Sequence, residues 1–380
     1  MKLSNSMKKI PSILKSKVLI IKIGSSLLIK KNKFDKTWLQ GLVKEISFLR
    51  SKEIKIILVT SGAVPLGRKY LKVDINKKLK INEKQACAAC GQSILMNFFI
   101  RAFEEEHMKI GQILLTFSET EERRKNLNAR ETINTLLESG VIPIINENDS
   151  VATEELKFGD NDRLAARVGQ IADADTLVLL SDINGLYDEN PTFSKKAKLI
   201  NVVKKIDKKI LAMGSSMTNI YGSGGMKTKI EAAEIAMSYG CDTLICNGNR
   251  EKPIRSILKN KKYYGTWFIA KEKQESRYKR WIAGSINVSG KLIVDDGAFR
   301  ALIGGSSLLP SGVKKITGKF IRGDVVQVLT IKNIIIGKGI VAYDHLESKL
   351  IKGKKTSEIF DILGYTGRDE LIHRDNFIVI

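Results

Sequence analysis

No uninterrupted apolar stretch in the 380-residue chain approaches the roughly 18 residues that a membrane-crossing helix needs. A membrane protein is therefore not expected. The most apolar early run, Val18 to Ile29, is broken by Lys22 and by Gly24-Ser25-Ser26, so it reads as a buried strand entering a loop rather than a secretory segment. Residues 1–16 are basic and polar and are expected to form a loose extension. Cysteine is sparse: of four, Cys87 and Cys90 make a C-x-x-C with no second matching pair. Structural zinc is therefore not expected, and no metal is assigned to protein ligands. Their spacing on an Ala-rich helical stretch puts both thiols on one face, as small buried hydrophobes. Cys241 and Cys246 flank Thr243-Leu244-Ile245 and read as strand residues. A reduced, cytoplasmic protein follows. Histidine is scarcer still, at three. His107 and His345 have no evident partners, and His373-Arg374-Asp375 stands near the C-terminus without the Val-Ala-Ile-Lys or Asp-Phe-Gly of a protein kinase.

Acidic residues are outnumbered, 41 against 64 basic, for a formal charge of +23. Such a balance raises the question of nucleic acid. Yet 48 of the basic residues are Lys and only 16 Arg, and lysine suits a solvated surface as well as it suits phosphate. The charge is also spread: residues 277–380 carry a net +7, and the longer remainder +16. No concentrated basic arm exists, so the solvated-surface reading is preferred. A hydrophobic share of 43% over this length suits two domains, each with its own core.

The first two-thirds alternates strand and helix patterns. Strands are expected at Val18–Ile23, Ile54–Val59, Ile113–Leu115, Val141–Ile145, Thr176–Leu180 and Thr243–Ile245. Helical spacing covers Trp38–Arg50, Lys84–Glu106, Asn128–Glu138, Asp162–Ile171 and Met226–Tyr239. This order predicts an α/β fold with a mainly parallel sheet sandwiched by helices, whose ligands bind at the carboxyl ends of the strands. The charged, apolar-poor segment from Phe268 to Lys279 reads as a linker. Beyond it, short glycine-punctuated runs at Lys291–Val294, Val325–Leu329, Ile334–Ile336 and Gly339–Ala342 predict a small β-barrel-like domain with one or two short helices. The expected domains are residues 17–268 and 277–368.

Polar motifs stand at the ends of these strands. Lys22-Ile23-Gly24-Ser25-Ser26 sets an ammonium beside a turn whose backbone N–H groups can meet phosphate oxygens. Taken alone, it is more often an ordinary turn. Thr60-Ser61-Gly62-Ala63 ends the next strand in the same way, and alone is weak. Asn146-Glu147-Asn148-Asp149 and Gly159-Asp160-Asn161-Asp162 are dense in amides and carboxylates. They suit a ligand with an ammonium and carboxylates; divalent-metal binding competes, and so does plain turn and helix-cap chemistry. Gly222-Ser223-Gly224-Gly225-Met226-Lys227-Thr228-Lys229 opens a helix without the spacing of a Walker A loop. Lysine at a helix N-terminus opposes the macrodipole unless an anion lies near, which favours a phosphate-binding reading over a bare flexible loop.

Together and in this order, the motifs resemble the amino-acid-kinase family, and within it the branch that phosphorylates glutamate. The general pattern is Lys-Ile-Gly-Ser-Ser, Thr-Ser-Gly, the Ser181-Asp182 before Gly185-Leu186-Tyr187, and Gly-Gly-Met-x-x-Lys. The more specific pieces are Ile144 to Ala152, Phe158-Gly159-Asp160-Asn161-Asp162 and Leu127-Asn128-Ala129-Arg130. Ser306-Ser307-Leu308-Leu309-Pro310-Ser311-Gly312 and Gly318-x-Phe320-x-Arg322-Gly323-Asp324 resemble the PUA domain attached to that branch.

The resemblance implies ATP-dependent transfer to the γ-carboxylate of L-glutamate, as the first step of proline biosynthesis, with Mg²⁺ accompanying ATP. It implies Lys22 and Lys229 at the phosphoryl group and Asp162 holding them. It implies Ser61, Asp149 and Asn161 at glutamate. For ATP it implies Lys22, Gly24, Ser181, Asp182 and the loop Ser223, Gly224, Gly225, Met226, Lys227, Thr228 and Lys229. Lys227 departs from the small polar residue common there. Proline as feedback inhibitor, a homo-oligomer and a weak RNA contact through the PUA-like domain complete the expectation. The rivals are another small-molecule kinase of the same fold and an RNA-binding protein acting through the PUA-like domain. The Asn146–Asp149 loop weighs against the first rival, and the even charge spread against the second.

Overall fold

The computed structural model describes residues 11–30, 33–74, 76–152, 161–194, 196–215, 225–250, 252–259, 265–271 and 288–380. Within them the chain divides into two compact units, Met1–Lys273 and Gln274–Ile380.

In the first unit, β1 (Val18–Ile23) leads through α1 (Ser25–Leu28) to a two-stranded ribbon, β2 (Ile29–Lys30) and β3 (Lys33–Phe34). Then follow α2 (Lys36–Arg50), β4 (Lys55–Val59), α3 (Ala63–Tyr70), α4 (Ile81–Glu104) and β5 (Ile110–Leu115). Next come α5 (Phe117–Glu121), α6 (Arg123–Glu138), β6 (Ile142–Glu147), α7 (Asn161–Ile171), β7 (Thr176–Ser181) and β8 (Val202–Val203). The unit closes with α8 (Lys208–Ser215), α9 (Met226–Ser238), β9 (Asp242–Asn247), α10 (Pro253–Lys259) and β10 (Thr266–Phe268). Eight strands form one sheet in the order β5-β6-β4-β1-β7-β9-β10-β8. The first six of that order run parallel; β10 runs antiparallel to β9 and carries β8 beside it.

Alternation along the central strands divides the core by sheet face. Leu19, Ile21 and Ile23 pack with Leu42 and Ile46 of α2 and Phe99 and Phe103 of α4. Ile20 packs on the other face with Ile133 of α6, Leu164 and Val168 of α7 and Ile230 and Ala233 of α9. Covered on both sides, β6 and β7 are buried at every position, which is why they read as continuous apolar runs. The 24-residue α4 is by length and composition long and apolar enough to cross a membrane, although charged and polar residues interrupt its apolar run. Its Cys87, Ala88, Gly91, Leu95, Phe99 and Phe103 are buried within the unit, as in a core helix.

Two expectations for the first unit need correction. The chain is not loose throughout 1–16: Ile13 is buried in the core, and the Ser16 hydroxyl donates to Thr176 Oγ1 at 2.8 Å. The linker does not begin at Phe268, because Phe268 and Trp267 are buried in β10; residues 272–287 lie outside the described residues.

The second unit contains β11 (Gly290–Val294), α11 (Asp296–Ile303), β12 (Val313–Gly318), β13 (Val325–Thr330), β14 (Ile335–Ile340), α12 (His345–Ile351), α13 (Ile359–Leu363) and β15 (Phe377–Val379). Its strands form a mixed sheet ordered β12-β11-β13-β14-β15, with β11 and β13 parallel. Leu292, Val326, Val328, Phe320 and Tyr343 fill its own core. The two runs read as separate strands around Gly337 are one strand. Glycine is needed there because β15 crosses closely: a Cβ on Gly337 would stand 2.0 Å from the Ile378 carbonyl oxygen. His345 packs edge-on against Phe320, and His373 accepts from the Asp375 N–H as a helix cap, so both are structural.

Candidate active site

The parallel strands deliver their polar loops to one edge of the sheet. Lys22 lies on the central β1, between β4 and β7, and shares the face of Ile20 that looks towards α7 and α9. Asp162 stands in the first turn of α7 and Lys229 in the first turn of α9. The three meet. Lys22 Nζ is 2.6 Å from Asp162 Oδ1, and Lys229 Nζ is 2.9 Å from Asp162 Oδ2. Asp162 is fully buried and each lysine is about 5% exposed. Thr228 Oγ1 adds a longer contact to the same Oδ2 at 3.3 Å. Burial by itself would raise the carboxyl pKa; the charges of Lys22 and then Lys229, with their hydrogen bonds, outweigh it and hold Asp162 well below the usual carboxylate range. The anion demanded by a lysine at the α9 N-terminus is thus supplied in part by Asp162. Arg163 and Glu231 pair across α7 and α9, with Nε to Oε2 at 2.7 Å, and fix the register of the two helices.

Beside this triad lies a set of neutral donors and acceptors. Asn161 Nδ2 donates to the Ser61 hydroxyl oxygen at 2.9 Å, to Asn146 Oδ1 at 2.8 Å and to the Thr60 carbonyl. Asn146, at the end of β6, donates in turn to Gln92 Oε1 of α4 at 2.8 Å. The Ser61 turn continues through Gly62, whose φ of 113° is the left-handed region that favours glycine. Asp149 follows β6 in a half-buried turn, three residues beyond Asn146.

Gly24 N–H donates to the Leu180 carbonyl, and Gly248 N–H to the Ser181 carbonyl. The loops after β1, β7 and β9 therefore lie side by side. Ser181 is buried and its hydroxyl donates to the carboxylate of the exposed Asp182 at 3.1 Å. Gly225 caps α9 in an extended conformation, Met226 is buried, and Lys227 is exposed on the first turn. Ser223, Gly224 and residues 158–160 of the motifs lie outside the described residues. At the ends of β7 and β9 a cavity of about 100 Å³ is lined by Asn184, Tyr187, Asn247 and Arg250, among others.

Among the described residues no group of three or more His, Cys, Asp or Glu side chains could hold a metal. Both Asp162 oxygens already face ammonium groups. This donor set fits a divalent ion that arrives on phosphates better than one held in a protein cage.

The family model described as "Amino acid kinase family" matches residues 17–247, which span every strand and loop of the triad. The chain belongs to the amino acid kinase family. A PUA domain model matches residues 290–363. A protein of Nitrobacter winogradskyi is 46% identical over 371 residues, covering 97% of each chain, and one of Pelagibacter ubique is 44% identical, covering 96% of this chain and 99% of its own. Both bear the name glutamate 5-kinase. As an amino acid kinase, this chain carries out phosphoryl transfer from ATP. The family fold accounts for the strand-end loops read from the sequence. Asn146 was read only as part of its loop and Gln92 not at all, although a polar residue on the buried side of α4 is a signal for such a role.

Proposed function

We propose that the chain phosphorylates the γ-carboxylate of L-glutamate with ATP, giving glutamyl 5-phosphate for proline biosynthesis. The observation that carries the reading is a pair of buried ammonium groups set on opposite oxygens of Asp162 at the carboxyl edge of the sheet, next to the amide and hydroxyl groups of Asn161 and Ser61. The acceptor carboxylate has an ordinary pKa of about 4.3 and is ionised at neutral pH, so no general base is required. The difficulty is bringing one anion up to another. Lys22 and Lys229 lower that repulsion and stabilise charge on the transferring phosphoryl group, while Asp162 positions both. Ser61 and Asn161 orient the amino acid, and Asp149 pairs with its α-ammonium. Gly24, Ser181, Asp182 and the Ser223–Lys229 segment hold the nucleotide. Mg²⁺ bound with ATP supplies further positive charge to the phosphates.

Residues 17–268 carry catalysis, and residues 277–368 form a separable PUA-like unit. The chain forms a homo-oligomer, takes proline as feedback inhibitor and makes a weak RNA contact through the second unit; residues 277–380 carry a net +7. Four free thiols suit the cytoplasm. The test is a substrate comparison with ATP. Free glutamate should be turned over far better than N-acetylglutamate, because acetylation removes the charge that Asp149 would meet. Comparable rates on the two would refute the assignment.

A further inference from the structure

Gln92 lies on α4, far in sequence from every motif of the site, yet it ends a chain of amides that begins there. The direction of each amide follows from a fixed backbone group. Asn161 Nδ2 donates to the Thr60 carbonyl, so its NH₂ side is settled. Asn146 Oδ1 accepts from the backbone N–H of Glu147 at 2.9 Å and from Asn161. Asn146 Nδ2 must then donate, and Gln92 Oε1 must accept. What remains is Gln92 Nε2. It belongs to a side chain that is 9% exposed, and the atom itself is buried with no hydrogen-bond partner among the described residues. Buried donors are nearly always satisfied, so an unpaired one at the end of the Asn161–Asn146 chain calls for a partner.

The packing holds Gln92 in place. Helices α3 and α4 touch backbone to backbone: a Cβ on Gly91 would stand 1.8 Å from the Ala63 carbonyl oxygen, and one on Gly67 1.7 Å from that of Cys87. Ala63 follows directly on Ser61-Gly62, so the contact that seats Gln92 also seats the Ser61 turn. Gln85, two helical turns earlier on the same face, reaches the Ala152 carbonyl beyond Asp149.

We propose that Gln92 is a specificity-determining residue for the acceptor amino acid: it orients Asn161 through Asn146 and donates its free Nε2–H to the α-carboxylate. The α-carboxylate is chosen by distance along the chain of contacts. The reacting γ-carboxylate belongs at Lys22 and Lys229, and Gln92 is separated from Asp162 by two intervening amide side chains. The inference rests on glutamate being the acceptor.

The experiment is steady-state kinetics on the full chain, wild type and variants, with L-glutamate and its α-amide, at saturating ATP. Losing a hydrogen bond to a charged group should raise the glutamate KM of Gln92→Met about ten- to a hundredfold, while the KM for ATP stays put. The preference of the wild type for glutamate over the α-amide should fall in the variant by about tenfold. Gln92→Glu keeps an oxygen for Asn146 and replaces only the free donor; it should lose glutamate at least as strongly, and it decides the matter if Gln92→Met does not fold. A glutamate KM unchanged in Gln92→Glu, or a preference over the α-amide that survives in either variant, overturns the inference while leaving the glutamate assignment intact. A wild type inactive on glutamate overturns both.

Discussion

Replacing Lys229 with Ala removes one of two ammonium groups from a carboxylate that has no access to water. The structure limits the damage to the fold. Asp162 keeps Lys22 at 2.6 Å and Thr228 Oγ1 at 3.3 Å, so its charge is not left alone. Breaking a buried ion pair outright is worth about 3–5 kcal/mol; with Lys22 still in place the loss should lie near or below the lower end. For a unit of this size each kcal/mol lowers Tm by about 2–4 °C, so a fall of at most about 6–12 °C is expected, and the protein remains folded at assay temperature. Catalysis should suffer more. Charge grows on the bridging oxygen as the phosphoryl group leaves ADP, so Lys229 contributes more in the transition state than in the ground state. Loss of one preorganised donor of this kind typically lowers kcat by about 10²–10³. Glutamate KM should change little. Lys229→Arg should not restore the rate, since a planar guanidinium does not fit the space of a compact ammonium between α7 and α9. The assay is ADP release at saturating substrates, with thermal unfolding measured on the same samples. A folded Lys229→Ala protein with wild-type kcat would mean that Lys229 does not stabilise the transition state.

Asp162→Asn should reduce kcat partially and lower stability by about 3–5 kcal/mol. Because Asp162's pKa is depressed in the fold, its contribution is present above about pH 3.9 and is lost as pH falls through the folded value. The stability gap between wild type and variant, followed by denaturant titration, should be constant from about pH 5 to 8 and shrink in stronger acid; a gap that widens on acidification would contradict the pairing. Lys227→Ser should raise the KM for ATP with a modest loss of kcat, because Lys227 is exposed on the turn that follows the glycine-rich loop; an unchanged KM would place it in solvent only. A chain ending at Lys273, the limit of the first compact unit, should keep kinase activity, and complete inactivity in a folded truncated protein would mean that the second unit completes the site.

The strand-end loops were legible because each combines a buried apolar run with an abrupt polar turn, a pattern that survives without tertiary context. Helix starts were less so. Helix α4 begins at Ile81, before the expected Lys84, because Glu83 accepts the Lys80 N–H and caps a turn whose side chains look polar. The short strands β8 and β10 owe their existence to the sheet edge rather than to a run of their own. The triad could be named from its resemblance, but its chemistry could not be read from spacing. Lys22 and Lys229 are more than two hundred residues apart, and only the crossing of α7, α9 and β1 makes Asp162 their shared counter-ion. Gln92 carries only a faint signal, its place on the apolar side of α4, because its partner Asn146 is 54 positions away.

In the proposed reaction phosphate is placed on the side-chain carboxylate of glutamate. Acyl phosphates react with hydroxylamine, so incubation of the enzyme with ATP, glutamate and hydroxylamine should yield γ-glutamyl hydroxamate in step with ADP. Mass spectrometry against authentic α- and γ-isomers distinguishes the position. ADP release should be matched by the γ-hydroxamate; ADP without hydroxamate, or the α-isomer in its place, would mean that the side-chain carboxylate is not the acceptor.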